Sequence, residues 1–467
     1  MPTAVIAGGS LAGLATALAL GRAGYRVRVL ERCPAPPEGP LVQAAERWHR
    51  PSVPQAGHSH NLTGLGVRTL REHAPHVLDE VLRAGAQLLD LTAAMPAGIT
   101  DRSRREGDED LVALGCRRTT LELALYRAVR DTPGVGIRHE TTVRGLLLDR
   151  FPRVTGVVVD GGERLDADFV VDATGRRAAS ASWLSAAGVP VPEDLIHPSD
   201  IAVYTRFYRR KSSDLPGPLN RGNAAGGIWD HYAAFVHLGD DDTHSLVFTV
   251  LPGDPAVRAL RDTEVFTAAA RATPWLAQWA DAGEPISTVR ALTCPPNILR
   301  GTATTPRPAV AGLHQVGDAA CVTDPLFGRG MSLALAHAFA LGELLTTRPA
   351  NDPLLGPDAA RSTTALMRPW YEHAVRADTE RSAHWHAAVT NPPTPGRPAG
   401  LLLPAQATAA QRDAHTWRDL IRMLMTLTPY DTDRTGHVWE KRAHAPGGPA
   451  APDRHEFTRL LTVAEGT

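Results

Sequence analysis

Glycines and one acid near the amino terminus have the types and spacing that hold a dinucleotide. Gly8, Ser10 and Gly13 lie in the segment GGSLAG, between the apolar run AVIA and a stretch rich in alanine and leucine. Gly8 permits a tight turn and Gly13 lets a helix pack closely on a strand, so free amides at the helix start can bind a pyrophosphate. Glu31 ends the next apolar run, where the ribose hydroxyls need an acceptor. The sequence therefore predicts a strand, turn, helix, strand and acid that bind a dinucleotide.

Two later segments place small and acidic residues at the ends of predicted strands. Residues 165–176 read LDADFVVDATGR, and residues 312–331 read GLHQVGDAACVTDPLFGRGM. Small residues at a strand end let a ligand approach the backbone. Asp318 offers a carboxylate to a polyhydroxylated chain, and the glycine-rich loop after it leads into the amino terminus of a long apolar helix.

Charge and composition exclude several classes of protein. The formal net charge of -1 provides no basic field for nucleic acid or an anionic membrane. The four cysteines form no C-x-x-C pair, which is typical of a reducing compartment and provides no zinc site. No stretch reaches about 18 uninterrupted apolar residues, and the amino terminus lacks the basic segment of a signal peptide. We expect a cytoplasmic protein with no metal site, no nucleic-acid partner and no membrane span.

Taken together, the three segments resemble those of the group A flavin monooxygenases, which share the para-hydroxybenzoate hydroxylase-like fold. The resemblance implies that the cofactor is FAD. Its pyrophosphate would then lie at Gly8, Ser10 and Gly13, its ribose at Glu31 and its ribityl chain at Asp318.

The resemblance also assigns residues to the flavin ring. Pro325, Gly328 and Gly330 would lie against the isoalloxazine, and Arg118 matches an arginine that opens a helix beside the cofactor in this family. A solvated arginine at a helix start is the alternative for Arg118. The residues predicted to bind FAD are Gly8, Ser10, Leu11, Ala12, Gly13, Glu31, Arg32, Arg118, Asp172, Gly175, Gly317, Asp318, Pro325, Gly328, Gly330 and Met331.

His60, Phe327 and Gly330 are the residues predicted to lie where the chemistry takes place. His60 forms a His-x-His pair with His58, but no carboxylate nearby completes a metal site. Two interpretations remain for the pair: histidines that bond the loop backbone, or a ring that lines the flavin edge and donates a hydrogen bond. Aromatic candidates for the substrate pocket, with core packing as the alternative, are Trp229, Phe235, Phe248 and Trp275.

The middle segment departs from the aromatic hydroxylases of the family. Their Asp-Gly pair is implicated in contacts with both FAD and NADPH, whereas Ala173 and Thr174 separate Asp172 from Gly175 here. The electron source is therefore either NAD(P)H or a separate flavin reductase. Together with RPSVPQAGHSHNL at residues 50–62, this form resembles the branch that contains the polyketide-polyether epoxidases.

The predicted fold class is α/β. It has a Rossmann-like FAD-binding domain of the para-hydroxybenzoate hydroxylase type, an inserted antiparallel β-sheet substrate domain and a helical C-terminal region. Alternating apolar residues indicate the antiparallel strands, at 200–208, 231–238 and 244–250. The predicted domains are residues 1–180 and 291–345 for FAD, 181–290 for the substrate and 346–467 for the C-terminal region.

The resemblance implies an FAD-dependent monooxygenase of secondary metabolism. Such an enzyme inserts one oxygen atom from O2 into a hydrophobic small molecule, by hydroxylation or epoxidation, and the flavin carries the chemistry. A flavin-dependent halogenase is one alternative, although its WxWxIP segment is absent and no lysine stands near the first motif. An alkene reductase of the geranylgeranyl-reductase type is another, and a flavin-binding module without turnover is a third.

Overall fold

A computed structural model describes residues 1–150, 152–429, 436–442 and 450–462. The strands are β1 Thr3–Ala7, β2 Arg26–Leu30, β3 Gln87–Asp90, β4 Val112–Gly115, β5 Val135–Arg138, β6 Val143–Leu148, β7 Val154–Val159, β8 Arg164–Asp166, β9 Phe169–Asp172, β10 Leu195–His197, β11 Ala202–Arg210, β12 Ala224–Trp229, β13 Tyr232–Leu238, β14 Thr243–Val250, β15 Gly283–Pro285, β16 Arg290–Thr293, β17 Asn297–Leu299, β18 Leu313–Gln315, β19 Cys321–Val322, β20 Leu401–Pro404 and β21 Trp439–Arg442. The helices are α1 Leu11–Arg22, α2 Leu41–Arg47, α3 Gly64–His73, α4 Pro75–Arg83, α5 Arg118–Arg130, α6 Ala179–Ala186, α7 Thr263–Ala272, α8 Ala277–Asp281, α9 Gly301–Thr304, α10 Gly330–Thr347, α11 Leu355–Thr390, α12 Ala414–Leu424 and α13 Arg454–Thr462.

A parallel sheet with strand order β18-β9-β1-β2-β5 forms the centre of the amino-terminal half. In β1, Ala4 and Ile6 pack in the same core as α1 and α10, whereas Val5 and Ala7 pack against β6 and β7. Both faces of the strand are therefore covered, which explains its uninterrupted apolar run.

The register of this sheet brings the three motifs to one edge. Ala7 pairs with Asp172 across β1 and β9, and Gln315 pairs with Asp172 across β18 and β9. Because parallel strands end at the same edge, the glycine turn, the DATGR segment and the loop after Asp318 lie side by side. The predicted FAD domain thus draws on segments far apart in the chain.

The antiparallel sheet has strand order β15-β11-β14-β13-β12-β20-β21, and β16 also pairs with β11. One face packs against α7, α8 and α13 in a core that includes Phe248 and Trp279. Phe235 and Val247 point to the opposite face, which looks toward the FAD motifs. The α/β fold class is confirmed.

The C-terminal region is mainly helical, as predicted, but it also supplies β20 and β21 to the antiparallel sheet. These strands could not be predicted from the sequence, because short apolar runs such as LLLP become strands only through pairing with Ile228 and Trp229 of β12. Of the helices in the described residues, none is long and apolar enough to cross a membrane.

Candidate functional site

A cavity of about 590 Å³ lies between the edge of the parallel sheet and the open face of the antiparallel sheet. This volume is in the range of small-molecule and cofactor sites. The residues predicted to bind FAD that line it are Gly8, Ser10, Leu11, Ala12, Glu31, Arg32, Arg118, Gly175, Asp318, Pro325, Gly328, Gly330 and Met331. His60 and Phe327 line it as well, whereas Gly13, Asp172 and Gly317 do not.

Steric crowding accounts for the glycines of the first turn. Gly8 has φ +107°, and a Cβ there would lie 2.4 Å from the carbonyl oxygen of Ala173. A Cβ at Gly13 would lie 1.9 Å from the carbonyl oxygen of Gly8. Gly13 therefore does not line the cavity but shapes it, because the absence of a side chain lets α1 pack closely against the turn.

Glu31 is buried at the end of β2 and orders the backbone around it. Its Oε2 accepts a hydrogen bond from the amide of Gly9 at 2.7 Å, and its Oε1 accepts one from the amide of Cys33 at 2.8 Å. The carboxylate still forms part of the cavity wall, where an adenosine ribose is expected.

Arg118 begins α5 and reaches the first turn. Its Nε lies 3.4 Å from Glu122, its Nη2 donates to Ser10 Oγ at 3.3 Å, and its Nη1 lies 3.5 Å from His60 Nε2. The side chain is largely buried, so the solvated helix-start alternative does not describe it.

The two histidines of the pair have different surroundings. His58 is buried and its Nδ1 lies 3.0 Å from Thr205 Oγ1, which ties the loop to β11. His60 faces the cavity, and its Nδ1 lies 2.9 Å from the carbonyl oxygen of His58. Burial and the charge of Arg118 lower the pKa of His60 to about 3, so its ring is neutral at ordinary pH. Both rings line the cavity, and it is His60 that also bonds the loop backbone, so His60 has features of both interpretations.

Asp318 and Gly330 face each other across the cavity wall at the start of α10. The Asp318 carboxylate has no hydrogen bond to any described residue, and burial raises its pKa despite Arg118 and Arg176. A Cβ at Gly330 would have only Asp318 Oδ1 near it, at 3.9 Å, so it would enter the cavity. An unsatisfied carboxylate beside bare backbone is what a polyhydroxylated cofactor chain needs.

The Asp172 carboxylate forms hydrogen bonds within the protein. Its Oδ1 accepts hydrogen bonds from the amide and the hydroxyl of Thr174, and its Oδ2 accepts one from the amide of Ser180. These bonds fold the DATGR segment and direct Gly175 toward the cavity.

The aromatic candidates separate into two groups. Phe235 lines the cavity, whereas Trp229, Phe248 and Trp275 pack in or against the core on the other face of the antiparallel sheet. Phe327 lines the cavity and stacks on Trp439 with ring centroids 5.7 Å apart.

The comparisons with known proteins agree with this geometry. Residues 1–205 match the family model of the FAD binding domain. The match spans 205 of the 467 residues, and the cofactor is FAD, which the unsatisfied Asp318 carboxylate and the glycine turn fit.

Solved structures share the fold at low sequence identity. PqsL, a probable FAD-dependent monooxygenase from Pseudomonas aeruginosa, is 17% identical with a TM-score of 0.60, covering 84% of this chain and 99% of its own. The flavin-dependent brominase Bmp2 is 15% identical with a TM-score of 0.61, covering 93% and 95%. The Diels-Alderase PyrE3 is 17% identical with a TM-score of 0.59, covering 95% and 85%. No protein of curated function has significant sequence similarity to the chain.

Two buried residues that support the first turn, Glu122 and Arg50, were not predicted from the sequence. Glu122 Oε1 accepts hydrogen bonds from Ser10 Oγ and, at 2.8 Å, from the amide of Leu11. Arg50 lies 3.7 Å from Glu122 and 3.9 Å from Glu31. Burial alone would raise the pKa of Glu122, but Arg50 and Arg118 hold it below its usual range. The available signal was the position of Glu122 one turn after Arg118.

A pair of carboxyl groups supports the loop after Asp318 from behind. Asn297 donates to Asp378 Oδ2 at 2.6 Å and accepts from the amide of Asp324 at 2.6 Å. Arg381 lies 3.0 Å from Asp378 and 4.0 Å from Asp324. Burial and the charge of Asp324 raise the pKa of Asp378, which favours its protonated form. No local pattern in α11 marked Asp378.

Proposed function

We propose that the protein is an FAD-dependent monooxygenase that inserts one oxygen atom from O2 into a hydrophobic small molecule, by hydroxylation or epoxidation. The observation that carries the proposal is a single continuous cavity with two kinds of wall. One is built by the FAD motifs, including Gly8, Asp318 and Gly330, and the other by apolar side chains such as Phe235 and Val247. A cofactor and an apolar substrate can therefore share one cavity.

FAD, when bound, supplies the redox chemistry. The residues predicted to hold it are those of the glycine turn, Glu31, Arg118 and Asp318. At the start of α10, the amides of Gly330 and Met331 offer donors at the positive end of a helix, which stabilises nearby negative charge. The neutral His60 ring borders the same space, and the apolar wall excludes water and orients the substrate.

The hydrogen bonds that Asp172 accepts from Thr174 and Ser180 support a separate flavin reductase as the electron source. Since Asp172 is fully buried, does not line the cavity and has both carboxylate oxygens hydrogen-bonded within residues 172–180, it is not accessible to a nicotinamide cofactor. We expect slow reduction of the flavin by NADPH alone and faster turnover when a reductase supplies reduced flavin. Stopped-flow reduction by NADPH at rates comparable to turnover, with substrate bound, would contradict this expectation.

The lining of the cavity favours oxygenation over halogenation. Of the described residues that line it, none is a lysine, and a lysine near the cofactor is what the halogenase alternative requires. The test supplies FAD-loaded protein with reduced flavin, isotopically labelled O2 and candidate metabolites from neighbouring biosynthetic genes. We expect a product that carries one labelled oxygen atom. A saturated product formed without O2, incorporation of bromide or chloride, or a product lacking the label would each overturn the proposal.

A further inference from the structure

Arg221 projects a cation into the substrate side of the cavity without a counter-charge. It lines the cavity next to Asn223 and Ala224, and its guanidinium lies 5.2 Å from the ring centroid of Phe235. Within the described part of the chain no acid acts on its charge. Burial alone lowers its pKa to about 10. A partly buried guanidinium without a carboxylate costs stability, so its position at a cavity wall points to an anionic ligand.

His237 adds a second donor on the same wall. Its Nδ1 lies 3.0 Å from Ser59 Oγ, and Ser59 in turn accepts a hydrogen bond from Ser245 Oγ at 2.8 Å. Ser59 keeps its own proton to donate to Nδ1, and in that tautomer the neutral ring carries its proton on Nε2. Burial and the charge of Arg221 lower the pKa of His237 to about 4, which keeps the ring neutral.

We propose that Arg221, assisted by His237, binds a carboxylate on the substrate, so that the substrate is an apolar acid. This inference rests on the proposed function, since it names the substrate class of that site. A guanidinium presents paired N–H donors that match the two oxygens of a carboxylate, and the wall of Phe235 and Val247 accommodates the apolar body. Such a clamp fixes one end of the substrate and thereby orients the other end toward the FAD motifs.

The experiment titrates FAD-loaded protein with 1-naphthoate and with its neutral analogue 1-naphthamide, and follows the flavin absorbance. The wild type should bind naphthoate about 10-fold or more tightly than naphthamide. In Arg221→Gln, the Kd of naphthoate should rise about 10- to 100-fold and that of naphthamide less than about 2-fold. Arg221→Lys should fall between the two, because it keeps the charge and loses the paired donors. The control Arg258→Gln removes an exposed arginine that does not line the cavity, and should change neither Kd.

Three outcomes overturn the inference: no binding of naphthoate by the wild type, equal affinity for the two probes, or an equal loss of both in Arg221→Gln. The FAD content of each variant checks that it is folded. None of these readouts involves oxygenation, so their failure leaves the proposed function standing. Conversely, Arg221-dependent binding by a protein that never incorporates labelled oxygen would refute the oxygenase and keep the carboxylate site.

Discussion

The carboxylate of Glu122 accepts a hydrogen bond from the backbone amide of Leu11 at 2.8 Å, although 111 residues separate the two. This bond ties the start of α5 to the start of α1, at the turn where the FAD pyrophosphate is expected. The guanidinium of Arg50 lies 3.7 Å from the Glu122 carboxylate and balances its charge. The guanidinium nitrogens have no hydrogen-bond partner within the described residues. The shape of the first turn therefore depends on a buried ion pair as well as on glycine.

Glu122→Gln should destabilise the FAD-free protein by about 3 kcal/mol at neutral pH, because it leaves Arg50 without its nearer partner. The pKa of Glu122 is lowered in the folded state, so its contribution is present above an unfolded value of about 4.3 and is lost as pH falls through the folded pKa. Denaturant unfolding should show the gap between wild type and variant closing below about pH 4. The exposed pair Glu343 and His73 provides the control, since Glu343→Gln should cost less than about 1 kcal/mol.

Asp318→Asn should weaken FAD binding about 10- to 100-fold, because a charge-assisted hydrogen bond contributes roughly 1.5–3 kcal/mol. The FAD-free protein should lose no stability, since the carboxylate has no hydrogen bond to a described residue and its burial is unfavourable. Titration of the apoprotein by flavin fluorescence measures the first effect and thermal unfolding the second. Unchanged FAD affinity would refute the assignment of Asp318 to the ribityl chain.

Substituting valine for Gly330 tests a role in the site, and substituting valine for Gly13 tests a role in the fold. Gly330→Val should lower oxygenation about 100-fold and leave the FAD-free thermal midpoint nearly unchanged, because the new Cβ enters the cavity. Gly13→Val should prevent stable folding, because its Cβ would lie 1.9 Å from the carbonyl oxygen of Gly8. If Gly330→Val unfolds the apoprotein, the glycine is needed for the helix start rather than for the cavity.

His60→Ala should uncouple the enzyme, so that hydrogen peroxide is released instead of oxygenated product, because a gap beside the flavin admits water. The ratio of peroxide to product measures the effect. Since the pKa of His60 is about 3, this ratio should stay constant between about pH 6 and pH 8. Exposed His76 provides the control, as His76→Ala should keep full coupling. Full coupling in His60→Ala, with lower stability only, would make the histidine structural.

Asp378→Asn should gain stability relative to the wild type as pH rises. The raised pKa of Asp378 means that the folded protein holds a proton that the unfolded chain releases above about pH 4, so wild-type stability falls as pH rises toward the folded pKa. An amide needs no proton, and the advantage of the variant in thermal midpoint should therefore grow with pH. The double variant Asp324→Asn/Asp378→Asn should lose about 3–5 kcal/mol, because Arg381 is left without a carboxylate. A difference in thermal midpoint between the single variant and the wild type that does not grow with pH would show that Asp378 is ionised.

Local backbone chemistry is what the sequence by itself determined. The tight turn at Gly8, the close approach at Gly13 and the turn at Asp318 after β18 each depend on residues a few positions apart, and the expected FAD site follows from them. The antiparallel strands were recognisable for the same reason, since alternation along β11, β13 and β14 is visible in the residues themselves.

Contacts between distant segments were decided only by the tertiary structure. Ser59 meets His237 across 178 positions, Asn297 meets Asp378 across 81, and β20 becomes a strand by pairing with β12. Arg258 is exposed to solvent, whereas Arg221 lies at a cavity wall without an acidic partner in the described residues. The difference depends on which segments folding brings near each arginine. That information lies in packing and burial, because charge and hydrogen-bond partners are set by distance in space and not by distance along the chain.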